Sequence, residues 1–230
     1  MKPICFIAAR GGSKGVSKKN IKMLNGKPLI AHTIEKAKKS KLFSDIIVST
    51  EDKEISQISK KYGATIPFMR PKYLATDSST ILDVLQYSIK KLIELDYNFD
   101  TFVLLDCTVP FIRINDIKKT IQILKKKNAV LVGGVYKQHL NPYYNIAEIN
   151  SNGFLKLVKQ TKKRPKSRQK APIVYQLNGL YTFNVKKFLK LGKNVFQKMI
   201  PFEIPIETGL MIDTEFEFKI AELLIKNKHN

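Results

Sequence analysis

The chain has 230 residues, 43% of them hydrophobic and 26% charged, which suits one large domain with a buried core and excludes a disordered chain. No apolar run approaches the ~20 residues of a membrane-spanning helix, the opening apolar segment is too short for a signal peptide, and two cysteines cannot build a disulfide framework. The net charge of +22 comes mostly from lysines spread along the chain, so we expect a solvated surface and no nucleic-acid or membrane partner. We predict a reduced, soluble protein of the cytoplasm.

Apolar runs alternate with helical periodicity over the first 135 residues, a pattern typical of a parallel sheet wrapped by helices. The helix predicted to start at Thr80 carries Asp83 three residues later, the spacing of a capping box, and the helix before it stops at Gly63. The run 101–105 is continuously apolar, which indicates a central strand. We predict strands at 3–9, 45–49, 64–68, 101–105 and 129–135, and helices at 29–39, 52–62, 80–95 and 115–126.

Beyond residue 135 the pattern becomes that of a β-rich segment. Apolar segments at 144–149 and 154–158, separated by the turn residues 150–153, predict an antiparallel hairpin. A densely basic stretch at 159–170 follows, then a predicted strand at 180–183 and a final helix at 215–225. We predict one α/β domain over 1–230, built on a mixed, mostly parallel sheet sandwiched by helices, with a β-rich insertion at about 136–180.

A loop rich in glycine and lysine follows the first predicted strand, at the position where open α/β sheets bind phosphates. Its glycines let the backbone approach a ligand and turn N–H groups toward it, and its lysines and arginine add positive charge. The loop fits neither the Walker A pattern nor the dinucleotide glycine pattern, and a flexible solvated turn would have a similar composition. Composition alone therefore favours an anion site without establishing one.

The order of residues in this loop is more specific than its composition. The string ARGGSKG at 9–15, followed by KNI at 19–21, resembles the opening motif of the cytidylyltransferases that activate nonulosonic acids, namely the CMP-sialic acid synthetases and their relatives for legionaminic and pseudaminic acids. The resemblance covers the whole chain and implies a Rossmann-like fold of the nucleotide-diphospho-sugar transferase type. Further matches follow in order at 26–29, 45–49, 70–71, 74–77, 108–110, 168–169, 178–179 and 212–215.

The resemblance implies attack of the sugar acid's anomeric hydroxyl on the α-phosphorus of CTP, with Mg²⁺ present and pyrophosphate leaving. Such a step depends mainly on positioning and charge neutralisation, for which Arg10, Lys14 and Lys19 are the implied catalytic residues. Arg70 is implied to lie near the cytosine, with a plain surface arginine as the alternative. The implied nucleotide-binding residues are Ala8, Ala9, Arg10, Gly11, Gly12, Ser13, Lys14, Lys19, Asn20, Arg70, Ser79, Thr80 and Asp106.

The sugar acid is expected to contact the second half of the chain. Arg168 and Gln169 match an Arg-Gln pair of the family, and a cation suits the carboxylate of the substrate. Asn178 and Tyr181 are further candidates for contacts to sugar hydroxyls or acylamino groups, with core packing as the alternative for Tyr181. The resemblance also implies a homodimer in which the insertion reaches the partner's site.

Two departures from the family pattern concern the metal and the acceptor. The family often has an Asp-x-Asp pair near the end of the domain, whereas here Met211, a poor ligand for Mg²⁺, precedes Asp213 at that spacing. Asp106 stands where the sialic acid enzymes commonly have glutamine, and we expect it to share Mg²⁺ with Asp213. The alternative is that Asp106 only caps the loop that follows. By resemblance, an aspartate there is more frequent in legionaminic-type synthetases.

Other functions stay open from the sequence alone. A cytidylyltransferase for another acceptor, such as Kdo, would share the fold and the first loop, although the 168–169 and 178–179 matches argue against it. A nucleic-acid-binding protein would use the basic surface, and a non-catalytic homologue without its metal would bind CTP but release no pyrophosphate. Cys107 lies beside Asp106, but no histidine is placed to activate it, so we expect no catalytic thiol.

Overall fold

Strands and helices alternate along most of the chain, of which the computed structural model describes residues 1–12 and 15–227. The strands are β1 (Ile4–Ala8), β2 (Met23–Leu24), β3 (Lys27–Pro28), β4 (Asp45–Ser49), β5 (Thr101–Leu105), β6 (Leu131–Lys137), β7 (Ala147–Ile149), β8 (Leu155–Leu157), β9 (Tyr175–Asn184) and β10 (Met199–Glu203). The α-helices are α1 (Leu29–Ser40), α2 (Lys53–Lys61), α3 (Ile81–Glu94), α4 (Ile114–Lys126), α5 (Val185–Leu191) and α6 (Glu215–Lys226). Among the described residues, no helix is both long and apolar enough to cross a bilayer.

Six of these strands form the central sheet, in the order β10-β6-β9-β5-β1-β4. β1 pairs in parallel with β4 and β5, and β10 pairs in parallel with β6, whereas β9 is antiparallel to both of its neighbours. All strands of the sheet except β9 therefore run in one direction, which confirms the predicted mixed, mostly parallel sheet. β5 is buried along its whole length, as a central strand covered on both faces should be.

Helices cover the sheet on both faces. On one face α1, α2 and α4 contribute Ile34, Ile55 and Ile117 to a single buried cluster with side chains of β1 and β5. On the other face α3 and α5 contribute Leu85 and Phe188 to a second cluster. Each helix buries its apolar stripe and leaves its lysine-rich side to solvent, which accounts for much of the spread of positive charge.

The last helix is tied to the beginning of the chain. Phe218 of α6 packs in a third cluster with Val16, Leu24 and Ile212. α6 begins with a capping box, as α3 does at the predicted Thr80. The segment before α6 is thereby held against the loop that follows β1, and these two segments later form part of the site.

One strand predicted from the sequence is absent, and other elements of the sheet were missed or predicted too short. The segment 64–68 is not a strand: only Thr65 forms a bridge, to Ile47 of β4, and Pro67 has no backbone N–H with which to extend a ladder. α5 and β10 were not predicted from the sequence. β10 contains Pro201, which argues against a strand, but β10 lies at the edge of the sheet, where proline is tolerated. β9 is also longer at both ends than the strand predicted at 180–183.

Residues 138–174, called the excursion below, leave the sheet after β6 and return at β9. The excursion contains the antiparallel β7–β8 pair, which confirms the predicted hairpin with shorter strands. Ile149, Phe154 and Leu155 on this hairpin are 72%, 71% and 76% exposed. These large apolar side chains therefore lie outside the buried clusters of the domain.

Candidate active site

A cleft of about 490 Å³ opens at the carboxyl ends of β1 and β5, the edge at which α/β sheets bind ligands. The segment leading into α3 and the segment before α6 complete its walls. Seven of the predicted nucleotide-binding residues and both predicted metal ligands lie in this wall. The lining residues are Ala8, Arg10, Gly15, Lys19, Asn20, Arg70, Leu74, Thr76, Asp77, Ser79, Ile81, Val84, Asp106, Thr108, Met211 and Asp213.

Lys19 joins the loop after β1 to the segment before α6. Its ammonium group donates hydrogen bonds to the Asp213 carboxylate at 2.8 Å and to the Ile212 carbonyl oxygen at 2.9 Å. The Lys19 side chain is only 14% exposed, whereas that of Asp213 is 57% exposed. Gly15 allows this close approach, because a Cβ there would overlap the Asp213 carbonyl oxygen. Both charges are therefore fixed at one wall of the cleft.

Arg10 and Gly11 are held by acidic residues that the sequence analysis did not single out. The Arg10 guanidinium lies 3.0 Å from the Asp77 carboxylate and donates a hydrogen bond to the Thr76 carbonyl oxygen at 3.3 Å. The backbone N–H of Gly11 donates to the Glu51 carboxylate at 2.7 Å. A phosphate that binds Arg10 or the Gly11 N–H must therefore compete with a carboxylate. The available signal was position: Glu51 follows β4 and Asp77 precedes α3, at the edge where a ligand was expected.

Asn20 lies buried behind the loop, and both ends of its amide are bonded. Its nitrogen donates to the Arg10 carbonyl oxygen at 2.8 Å, and its oxygen accepts a hydrogen bond from the Cys107 thiol at 2.9 Å. Asn20 is 6% exposed and Cys107 is 1% exposed. Burial raises the pKa of the Cys107 thiol well above its usual range. The thiol is therefore a hydrogen-bond donor and not a thiolate nucleophile.

Arg70 is a buried residue and not the surface arginine that was its alternative. It is 6% exposed, and its guanidinium donates to the Ser49 hydroxyl at 3.1 Å and to the Ser49 carbonyl oxygen. Burial lowers the pKa of Arg70, and the negative charge of Glu51 opposes that shift. Arg70 thus presents a largely desolvated cation to the cleft, where its charge acts on a ligand more strongly than it would at the surface.

Asp106 and Asp213 bring two carboxylates to the same cleft from distant parts of the chain. Asp106 accepts a hydrogen bond from the Thr108 N–H at 3.0 Å, which is the loop-capping contact considered as its alternative role. Burial raises the pKa of Asp106, and the charge of Asp213 raises it further, while the Thr108 hydrogen bonds and the charge of Lys19 lower it. Two carboxylates that repel each other in one cleft favour a cation between them.

The donor set of the cleft suits a hard divalent cation. The described residues contain no group of three or more His, Cys, Asp or Glu side chains that could hold a metal by themselves. Mg²⁺ is usually held by one or two carboxylates together with substrate phosphates and water, so Asp106 and Asp213 fit it. Met211 lines the same cleft but offers only sulfur, and Glu217 accepts the backbone N–H of Asp213 at 2.8 Å as part of the cap of α6.

Ser79 and Thr80 lie side by side but have different surroundings. Ser79 lines the cleft, and its hydroxyl donates to the Tyr73 carbonyl oxygen. The Thr80 hydroxyl donates to the Asp83 carboxylate at 2.6 Å in the capping box of α3. Ser79 is therefore the better placed of the two for a contact with a nucleotide.

Besides Thr80, five of the predicted nucleotide-binding residues are not part of the described cleft wall. Ala9 is fully buried, and its N–H bonds to the neighbouring strand end. Gly11 is held by Glu51 as described above, and Gly12 is exposed. Ser13 and Lys14, the latter also a predicted catalytic residue, lie outside the residues that the structure describes.

The predicted sugar-binding residues are not gathered at the cleft. Arg168 and Gln169 form a short 3-10 turn within the excursion, and both are exposed. Asn178 is fully buried in β9, where its Oδ1 accepts the backbone N–H of Leu180 at 3.1 Å. Their roles toward a sugar therefore stay predictions.

β9 runs close behind Asp106 and brings Tyr181 near it. A Cβ on Gly179 would overlap the Asp106 side chain, so this position requires glycine. The Tyr181 ring packs edge-to-face on Phe196 with ring centroids 5.5 Å apart, which is the core-packing role considered for it. Burial raises the pKa of Tyr181 to about 12, and the charge of Asp106 contributes. The charge of Asp106 therefore affects the pKa of Tyr181, although Tyr181 does not line the cleft.

Three cations and two carboxylates therefore share one cleft at the strand ends. Arg10, Lys19 and Arg70 can offset the charge of a polyphosphate, and Asp106 with Asp213 can hold a divalent cation beside it. Arg10, Lys19, Arg70 and Asp213 are held by contacts with other segments of the protein, and Asp106 is held by the loop that follows it. The arrangement suits the binding of a polyphosphate substrate together with a divalent cation.

Known proteins are similar to this chain in sequence, and a solved structure is similar to it in fold. Residues 4–224 match the model of a protein family described as Cytidylyltransferase. The chain is 37% identical over 229 residues to the CMP-N,N'-diacetyllegionaminic acid synthase of Campylobacter jejuni, covering 98% of this chain and 96% of that protein. It is 36% identical over 230 residues to the post-translational flagellin modification protein B of Campylobacter coli, again covering 98% and 96%.

A solved structure shares the fold. A CMP:2-keto-3-deoxy-manno-octonic acid synthetase in complex with CTP matches with a TM-score of 0.72, covering 99% of this chain and 100% of that chain at 18% identity. An identity this low bears on the fold alone. It confirms the expected α/β fold, with a mixed, mostly parallel sheet between helices.

Proposed function

The chain belongs to the cytidylyltransferase family, and we propose that it transfers CMP from CTP to the anomeric hydroxyl of a nonulosonic acid and releases pyrophosphate. The observation that carries this proposal is the cleft at the ends of β1 and β5, where Arg10, Lys19 and Arg70 face the same space as Asp106 and Asp213. The 37% identity to the synthase of Campylobacter jejuni, over 98% of this chain, supports the same reaction.

The proposed reaction is a single displacement at phosphorus. The anomeric oxygen forms a bond to the α-phosphorus, the bond from that phosphorus to the bridging oxygen breaks, pyrophosphate keeps the electron pair, and the hydroxyl proton is given up to solvent. Arg10 and Lys19 bind the phosphates and offset the negative charge that builds up on the departing pyrophosphate. Lys19 does so from a position fixed by Asp213 and Ile212, which limits the reorganisation needed during the reaction.

The cytosine is proposed to lie against Arg70. This guanidinium is buried and held by Ser49, so it can donate to a carbonyl oxygen of the base from a fixed position. The apolar side chains of Leu74, Ile81 and Val84 line the same cleft and offer a surface for the flat faces of the base. Together they form a pocket suited to a pyrimidine ring.

Mg²⁺ is the cofactor that we propose, with Asp106 and Asp213 as its protein ligands. When bound, it would neutralise charge on the phosphates of CTP. The support is the pair of carboxylates in one cleft and the repulsion between them, which raises the pKa of Asp106 after the larger effect of burial. Asp106 thus supplies a carboxylate where Met211 offers none.

A legionaminic-type acid is the proposed acceptor, in preference to sialic or pseudaminic acid. The support is the identity to the legionaminic acid synthase together with the aspartate at position 106. Arg168 and Gln169 are the proposed contacts for the sugar carboxylate, with Asn178 and Tyr181 nearer to Asp106. A Kdo acceptor has no comparable support, because the match to the octonic acid synthetase is at 18% identity and concerns the fold.

A homodimer is proposed because the excursion leaves large apolar side chains uncovered. Ile149, Phe154 and Leu155 are each more than 70% exposed, and a second copy is the occupant that would bury them. Light scattering after size exclusion should give twice the chain mass, and Leu155→Lys should give a monomer. A wild-type monomer at micromolar concentration would contradict this.

The consumption of CTP and the two unpaired cysteines suit the cytoplasm as the compartment.

The deciding experiment is pyrophosphate release from CTP and Mg²⁺ with legionaminic, pseudaminic, N-acetylneuraminic and Kdo acids. We expect release with a legionaminic acid, its loss in Asp213→Ala, and normal release in Glu207→Ala, which removes an exposed carboxylate outside the cleft. Release with Kdo alone would mean that Kdo, and not a legionaminic acid, is the acceptor. CTP binding without release from any acid would favour the non-catalytic homologue.

A further inference from the structure

A chain of hydrogen bonds links the end of β5 to the loop after β1. The Cys107 thiol donates to Asn20 Oδ1 at 2.9 Å, and Asn20 Nδ2 donates to the Arg10 carbonyl oxygen at 2.8 Å. Cys107 and Asn20 are 1% and 6% exposed, so water does not replace these contacts. The two residues are 87 positions apart, and the contact between them exists only in the folded domain.

The two partners of Asn20 select the same orientation of its amide. A thiol offers a donor and therefore faces the amide oxygen, while a carbonyl oxygen is an acceptor and faces the amide nitrogen. With the amide rotated by half a turn, two oxygens would oppose each other at Arg10 and the thiol proton would point at N–H₂. A buried polar group left in that state is costly, so the orientation seen here is strongly preferred.

We propose that Cys107 is a positioning residue for the nucleotide: it fixes the Asn20 amide with its nitrogen toward Arg10 and the cleft. Asn20 lines the cleft, and its amide nitrogen carries a second hydrogen that an oxygen of the nucleotide can accept. The same contact holds the backbone of Arg10, whose guanidinium faces the phosphates. Cys107 therefore acts on CTP binding through Asn20 and takes no part in bond making. This inference rests on the proposed binding of CTP in the cleft.

The chain offers a matched control for the loss of a buried thiol. Cys5 in β1 is 0% exposed and belongs to the same apolar cluster as Cys107, but the Asn20 amide bonds to Cys107. Cys5→Ala and Cys107→Ala remove the same atoms from the same core, and only the second removes a donor from the site. Cys107→Ser keeps a donor, and Cys107→Val fills the space without one if the alanine variant does not fold.

The test compares these variants in steady-state kinetics, in CTP binding by calorimetry, and in hydrogen–deuterium exchange of the free protein. For Cys107→Ala we expect a three- to tenfold rise in both KM and Kd for CTP, with kcat within twofold of wild type. Exchange at residues 10–12 should be faster. Cys107→Ser and Cys5→Ala should stay within twofold in KM, although Cys5→Ala should lower the melting temperature as much. In an Asn20→Ala background, Cys107→Ala should have no further effect on KM.

Several results would overturn the proposal. These are an unchanged CTP affinity in Cys107→Ala, an equal loss in Cys5→Ala, an equal loss in Cys107→Ser, or additive effects with Asn20→Ala. Failure of the proposed function is recognised separately, because wild-type protein would then make no CMP-sugar in the acceptor panel. Exchange at residues 10–12 needs no substrate, and unchanged exchange in Cys107→Ala would overturn the proposal in that case as well.

Discussion

The nucleotide end of the molecule and the excursion differ in how their functional residues are held. Each of four side chains at the nucleotide end contacts a distant segment. Lys19 bonds to Asp213, 194 positions away, and Asn20 bonds to Cys107, 87 positions away. Arg10 and Arg70 bond to Thr76 and Ser49, which lie 66 and 21 positions away. The contacts of the excursion lie mostly within itself and its base, and every residue of its hairpin strands β7 and β8 except Leu157 is exposed. The nucleotide site is therefore preorganised in one chain. We expect the sugar-binding side to be completed by a second copy of the chain that covers the excursion.

This difference predicts that changes in the two regions separate in the kinetics. Substitutions at the nucleotide end should act on CTP and on catalysis, since their partners come from the same chain. Substitutions in the excursion should act on the sugar acid and leave CTP affinity unchanged. Four variants test that separation, from the largest expected effect to the smallest.

Lys19→Ala should have the largest effect, because it removes a fixed cation from the phosphates and leaves Asp213 without its partner. We expect kcat/KM for CTP to fall by about a hundredfold or more, the usual cost of one preorganised charge contact. Lys18→Ala is the control: Lys18 is an exposed neighbour that pairs with Glu54 at 2.8 Å outside the cleft. Equal losses in the two variants would refute a specific role for Lys19.

Asp106→Asn should lower kcat at least tenfold and weaken the response to Mg²⁺, yet make the fold more stable at neutral pH. The pKa of Asp106 is raised in the folded protein, mainly by burial. Its contribution to stability is therefore fully present below the ordinary carboxyl pKa and is lost as pH rises through the raised pKa.

Thermal unfolding of wild type and Asp106→Asn between pH 4 and pH 8 checks this. The melting temperature of Asp106→Asn should exceed that of wild type by a margin that grows as pH rises through the raised pKa of Asp106 and is constant above it. Full activity with a normal Mg²⁺ requirement would remove Asp106 from the metal site, whatever happens to stability.

Arg168→Ala tests the excursion directly. We expect KM for the sugar acid to rise about tenfold, the scale of one lost charge-assisted hydrogen bond, with KM for CTP within twofold of wild type. Lys163→Ala is the matched control, since Lys163 is an exposed cation of the same basic stretch. A rise in KM for CTP instead would mean that the two regions are not separate.

Asp77→Asn should have the smallest effect, and in the opposite direction. It releases Arg10 from a partly exposed ion pair, so KM for CTP should fall two- to fivefold; such pairs contribute little to stability. Glu94→Gln, which breaks the Lys91–Glu94 pair at 3.0 Å outside the cleft, should leave KM unchanged. A higher KM in Asp77→Asn would mean that Asp77 holds Arg10 in its working position.

The sequence predicted the parts of the fold in which local pattern and tertiary role agree. The strands at 3–9, 45–49 and 101–105 match β1, β4 and β5 to within one residue, because their apolar runs are continuous and buried. Proline accounts for one wrong prediction and one missed strand. Pro67 prevents the strand that the apolar pattern predicted at 64–68. Pro201 argues against a strand in the sequence, although β10 forms there at the edge of the sheet.

The candidate site also contains residues that the sequence predicted and residues that it did not. Lys19, Arg70, Asp106 and Asp213 were predicted, and the fold brings all of them to one cleft, because strand ends on one side of a sheet converge. The acidic partners Glu51 and Asp77 were missed. The partner of Glu51 lies 40 positions away, and no local pattern shows which carboxylate will meet which donor. The sugar-side residues stay predictions.

The bond between Lys19 and Asp213 has a consequence for how the protein is made. The loop after β1 is synthesised early, whereas the segment that fixes Lys19 and the helix α6 that packs on Val16 come some 194 residues later. A nascent chain emerging from the ribosome therefore carries the phosphate loop long before it has the wall that orders it. Competence to hold a nucleotide should therefore arise only after that wall has been synthesised, late in the folding of this domain.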